Sequence, residues 1–157
     1  MVVSLLLYLV FSISIFFLPK MLRRYTSVWI ALLQLGVFLF FLSRIPNIIH
    51  GEVLTFAINW VPALDLNLSF ILDGFSLSFA LLVSGIGAMV FFYAQAYMKK
   101  YAGTDRFIFF LTLFSGAMLG MVLSENLIQL FIFWELTSVL SFLLITFFHE
   151  KEEARKA

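Results

Sequence analysis

Five stretches of this 157-residue chain are apolar for long enough to cross a bilayer, and that fact leaves few folds open. A bilayer offers no partner for an unpaired backbone group, so only helices and closed barrels can span it. The stretches lack the strict alternation of barrel strands, which leaves helices. The spans read as about 2–18, 26–44, 74–98, 106–124 and 126–148, with a charged tail at 149–157. A water-soluble helical core is ruled out by composition. Only 12% of residues are charged and 63% are hydrophobic, with a mean hydropathy of +1.07, against about 25% charged in soluble domains. The expected fold is an all-α integral membrane domain in one unit. With a net charge of +1 and no basic stripe, nothing points to nucleic acid. Zero cysteines exclude disulfides, thiol chemistry and cysteine-held clusters, and no cofactor is expected.

Lysine and arginine counts in the connections set an expected orientation. Lys20, Arg23 and Arg24 follow the first span, Arg44 the second, and Lys99, Lys100 and Arg106 the third. None follows the fourth, whereas Lys151, Arg155 and Lys156 follow the fifth. The alternation places the N-terminus outside and the C-terminus inside. The first run has no positive charge before it and no small-x-small site after it, so it reads as a spanning helix rather than a signal peptide.

The longest external connection holds two β-prone segments, 54–60 and 66–72, with Val61-Pro62-Ala63-Leu64-Asp65 as turn material. These predict an extracellular β-hairpin capping the bundle. Asp73 has the position of an N-cap, and a cation-attracting role at an outer mouth is compatible with it. Glu125-Asn126 repeats that pattern before the last span. Gly116 and Gly120, and Gly85, Gly87 and Ala88, mark helices with close neighbours. His50 and His149 are each isolated from the residues a metal would need. In the tail, Glu152 and Lys156 stand at a spacing that favours continued helix.

The chemistry concentrates on the last span. Glu135 stands near its middle, about 13–14 Å from Asn126 at helical rise and close to the midplane of a core about 30 Å thick. A carboxylate at that depth costs several kcal/mol, ~3 on insertion scales, and is kept mainly where function uses it. At about 100° per residue Ser138 lies roughly 60° from Glu135, Ser141 about 120° and Thr137 about 160° in the same sense, and Thr146 returns to within about 20°. These hydroxyls extend a polar half-cylinder from the acid, with Leu136, Val139, Leu140 and Leu143 on the other side. Within the spans Lys, Arg and His occur only at the ends, as Arg44 and Arg106, so the chain holds no counter-charge at that depth. An isolated carboxylate removed from water favours its neutral form, and one that water reaches intermittently can take up and release a proton. Two readings stay open: Glu135 as a proton-handling group, or as a neutral acid bonding a neighbouring helix.

LFIFWELTSVLSFLLITFF (130–148) resembles the fifth helix of the A subunit of Mrp-type multisubunit cation/proton antiporters. FILDGFSLSFALLVSGIGAMVFFYAQAYM (70–98), FIFFLTLFSGAMLGMVLSEN (107–126) and the hairpin segment resemble the same subunit, and FWELTS is the most specific string. The antiporter-like subunits of respiratory complex I are more distant relatives. The resemblance implies a multi-pass subunit of a large complex in the cell (inner) membrane, exchanging Na⁺ for H⁺ among other subunits and lipid, and not an enzyme. It maps Glu135 onto a glutamate of the proton path, with Thr137, Ser138 and Ser141 as supporting polar groups. In that family the glutamate pairs with a lysine on a later helix, and the relay continues through buried lysines and a histidine. The chain ends at Ala157, before those helices, which reads as the N-terminal portion of an A subunit. Two alternatives are a separate five-helix assembly module without transport of its own, and a pumping piece of a complex I-like redox complex.

Overall fold

The computed structural model describes residues 2–17, 25–61, 66–98 and 103–148. Lys20, Arg23, Arg24, Lys99, Lys100, the hairpin turn at 62–65 and the tail with His149, Glu152 and Lys156 lie outside the described residues. The elements in order are α1 (Val2–Phe17), α2 (Thr26–Leu42), the short α3 (Ile45–Ile49), β1 (Leu54–Val61), β2 (Leu66–Leu72), α4 (Gly74–Tyr97), α5 (Thr104–Val122) and α6 (Leu127–Ile145), followed by a 3₁₀ turn, Thr146–Phe148.

Four helical stretches have the length and composition to cross a membrane: Thr26–Ile49, Gly74–Tyr97, Thr104–Val122 and Leu127–Ile145. The first of these runs through α2 and α3, because Ser43 and Arg44 between them keep right-handed helical angles. It stops at Gly51, whose φ of +85° is open to glycine at little steric cost. Five spans were expected; α1 is apolar but, at 16 residues, shorter than the other four.

α2 packs along α4, α1 along α5 and α5 along α6, while the consecutive helices α1 and α2 scarcely touch. Two buried clusters hold the bundle. The one on the hairpin side includes Tyr8, Phe41, Leu77, Leu119 and two hairpin residues, Phe70 and Leu72. The one at the other end includes Ile15, Ile30, Phe91, Met98 and Ile108. Leucine, isoleucine and phenylalanine side chains cover the outside of the helices. In water such a surface would drive aggregation, whereas in lipid it is the expected exterior.

Glycines set two of the close approaches. A methyl group at Gly87 of α4 would come within 2.8 Å of Gln34 Cδ on α2, and one at Gly120 of α5 within 2.6 Å of the Phe133 ring on α6. Beside Gly87 lies a polar contact inside the bundle. Tyr8 Oη donates to Gln34 Oε1, and Gln34 Nε2 donates to the Val83 carbonyl at 3.1 Å. This ties α1, α2 and α4 together.

β1 and β2 form the expected antiparallel hairpin, in register from Leu54↔Leu72 to Asn59↔Asn67, with an irregularity before Val61↔Leu66. β2 is paired on both edges. Beyond β1 it meets the α5–α6 connection through a Phe70↔Ser124 bridge, with Ile71 N donating to Leu123 O at 2.9 Å and Glu125 N to Ser69 O at 3.0 Å. Asp73 caps α4, accepting from Ser76 N and Ser76 Oγ at 2.8 Å each. The bond from the Ser76 amide, joined by that from its hydroxyl, holds the Asp73 carboxyl below its ordinary range.

Candidate functional site

The site is built from the start of α6 inward. Asn126 caps the helix, its Oδ1 accepting from Gln129 N at 2.7 Å. Its amide nitrogen donates to Asn67 O at 2.7 Å and Ser69 Oγ at 3.1 Å. Gln129, one turn in and buried, accepts from Ser69 N at 2.9 Å. Of the expected pair Glu125-Asn126, the asparagine therefore makes the cap, while Glu125 contributes its backbone to the strand edge. This clamp between β2 and the first turn fixes the rotation of α6 about its axis.

With the rotation fixed, a single stripe of α6 meets α5. Gln129, Thr137 and Leu140 are buried on it, and Phe133 is half-buried against Gly120. Glu135 is offset from Thr137 by about 160° around the axis, so it points away from α5 and is exposed. Six residues separate it from the Gln129 clamp, about 9 Å along the axis.

The polar residues expected to line one face are divided. Ser138 is exposed alongside Glu135, Ser141 is half-buried, and Thr137 lies on the stripe buried against α5. Thr137 Oγ1 donates to Trp134 O at 2.7 Å and Ser138 Oγ to the same carbonyl at 3.2 Å. Thr146 Oγ1 donates to Phe142 O at 2.8 Å. These hydroxyls are satisfied by their own helix and do not require a bond from Glu135. Among the described residues no group of three or more metal-ligating side chains assembles.

Sequence reasoning passed over Tyr8, Gln34 and Gln129, all buried. An amide inside an apolar run was the available signal for Gln34, because a spanning segment keeps such a group only if it finds a partner. Gln129 Nε2 is buried with no hydrogen-bond partner among the described residues.

The helices and the apolar exterior define a multi-pass membrane protein. Residues 58–108 match the family described as NADH-ubiquinone oxidoreductase (complex I), chain 5 N-terminus; that stretch ends before α6. The chain is 44% identical over 137 residues to the putative antiporter subunit mnhA2 of Staphylococcus haemolyticus, covering 87% of this chain and 17% of that protein. It is 40% identical over 151 residues to the Na⁺/H⁺ antiporter subunit A1 of the same organism, covering 96% of this chain and 19% of that one. The solved Mrp complex from Dietzia sp. DQ12-45-1b superposes with a TM-score of 0.81 at 30% identity, over 92% of this chain and 16% of the matched chain. The archaeal membrane-bound sulfane sulfur reductase superposes at 0.75 over 90% of this chain and 22% of that one, with 17% identity, a likeness of fold alone.

The chain is thus similar to the N-terminal portion of the Mrp-type antiporter A subunits, the resemblance that FWELTS carried, and over 58–108 to the N-terminal region of complex I chain 5. It spans less than a fifth of the length of the curated relatives it matches.

Proposed function

We propose that this chain forms part of a cation/proton antiporter subunit, acting within a multisubunit complex of the cell membrane, and that Glu135 lies on its proton path. The carrying observation is that Glu135 stands mid-span on the face of α6 that no other described element covers. A carboxylate facing lipid there would cost about 3 kcal/mol or more, so that face is occupied by further protein or water. On this reading Na⁺ moves against H⁺, α1 completes a fifth span, the N-terminus is outside and the hairpin is extracellular. The antiporter relatives, 40–44% identical over 137–151 residues, support this over a redox-linked pump, to which the family likeness is confined to residues 58–108.

The test is Glu135→Gln in the assembled complex, reading Na⁺/H⁺ exchange in everted vesicles and subunit content in parallel. Exchange is expected to be lost with assembly intact. Normal exchange would remove Glu135 from the path and favour a scaffolding role.

A further inference from the structure

Where α1 and α2 diverge they leave a groove of about 260 Å³, open on one side and lined mainly by apolar groups of Leu7, Leu33, Val37 and Phe40, with Gly36 in its wall. That is below the roughly 300–1,000 Å³ of pockets that enclose a compact ligand, and far too narrow for a helix about 10 Å across. A single extended hydrocarbon chain has the right shape. Gly36 sharpens the point. A glycine inside a helix is less favourable than alanine, yet a methyl group there would meet nothing within 4 Å. No described helix needs the glycine for close approach; the space it keeps open is the groove.

One turn beyond Phe40 the helix carries Arg44, whose guanidinium lies 5.0 Å from the centre of the Phe40 ring. Arg44 is half-buried, and its Nε has no hydrogen-bond partner among the described residues. From Leu33 to Arg44 is eleven residues, about 16 Å of helix, which matches half of a hydrocarbon core about 30 Å thick. A chain seated along Leu33, Gly36 and Phe40 would therefore bring its headgroup to the level of Arg44, one turn beyond the last lining residue of α2. Arginine donates through a planar fork that suits phosphate oxygens.

We propose that the groove between α1 and α2 is a phospholipid site: one acyl chain lies along Gly36 and Phe40, and Arg44 holds the anionic headgroup. The site is independent of Glu135, which lies on α6.

The test uses the full-length subunit in its complex, reconstituted into vesicles of phosphatidylcholine with a minor fraction of phosphatidylglycerol. A photo-activatable diazirine side chain replaces Val3, an exposed residue at the groove's edge, and adducts are identified by mass. The expected products are phospholipid adducts enriched in phosphatidylglycerol about fivefold over its mole fraction, the ratio set by ~1 kcal/mol per basic residue at an anionic surface. Arg44→Gln should return the ratio to that of the bulk lipid, and Gly36→Leu should reduce the phosphatidylglycerol adducts several-fold. Cross-links to another polypeptide, or adducts in the bulk ratio with Arg44 present, would overturn the proposal. Enrichment unchanged by both substitutions would overturn it as well.

Discussion

Gly87→Ala isolates the contact that joins three helices. The added methyl would come within 2.8 Å of Gln34 Cδ and closer still to its amide nitrogen, so the amide must swing away. In doing so it releases the Val83 carbonyl and the Tyr8 hydroxyl together. Tyr8 is 1% exposed and Gln34 fully buried, so neither finds water. Leaving a buried polar group unpaired costs about 1–3 kcal/mol, while interhelical hydrogen bonds in membranes average nearer ~0.6 kcal/mol. Two bonds lost at the lower figure cost about 1 kcal/mol, and about 1–3 kcal/mol of overpacking brings the expected loss to about 2–4 kcal/mol. Equilibrium unfolding in mixed detergent micelles measures it, with two companions. Gly36→Ala on α2, where the methyl meets open space, should be neutral or stabilise by up to ~1 kcal/mol. Combining Gly87→Ala with Gln34→Ala puts the methyl where the amide was. The pair should cost at least about 1 kcal/mol less than the sum of the singles. Additive costs, or a Gly87→Ala protein as stable as the parent, would refute the packing argument.

Thr137→Val should leave cation/proton exchange unchanged in the assembled complex, because Thr137 faces α5 and bonds only its own helix. A loss as large as that from Glu135→Gln would place the proton path on the buried side of α6. Asp73→Ala should cost about 1 kcal/mol of stability, the usual worth of an N-cap. Because the folded-state pKa of Asp73 lies below its ordinary 3.8, its contribution is present above that pH and lost as pH falls through the lower folded value. Acid unfolding curves should therefore show less pH dependence below about pH 4 in the variant, and unchanged curves would reject the cap as the cause.

The sequence made the hairpin legible because β-branched and aromatic residues flank a Pro-containing turn, and local signals suffice for local pairing. It could not show that the second edge of β2 is taken by residues 123–125, since that pairing joins segments more than fifty residues apart. The helical spacing gave angles between Glu135, Thr137 and Ser138 but not the direction in which the set is turned. That depends on which stripe packs, and α6 is apolar almost all round. Only Gly120 opposite Phe133 and the clamp at Gln129 decide it. Tyr8 and Gln34 stood in plain view as polar residues in apolar runs. Their pairing, 26 positions apart, is a property of the packed bundle.

The hairpin and Glu135 are linked by one rigid element. An isolated spanning helix packed by one apolar stripe can rotate with little penalty, since its lipid-facing residues are interchangeable. Here Asn67 and Ser69 grip Asn126 and Gln129 through three hydrogen bonds, Ser69 N donating to Gln129 Oε1 and Asn126 Nδ2 donating to Asn67 O and Ser69 Oγ. A turn of the helix by one residue, about 100°, would break them all and would also carry Phe133 off Gly120. The grip lies only about 9 Å along the axis from the acid, too short a length for helix twisting to absorb. The strand pair therefore sets the direction in which the mid-helix carboxylate points, toward the face of α6 that no other described element covers.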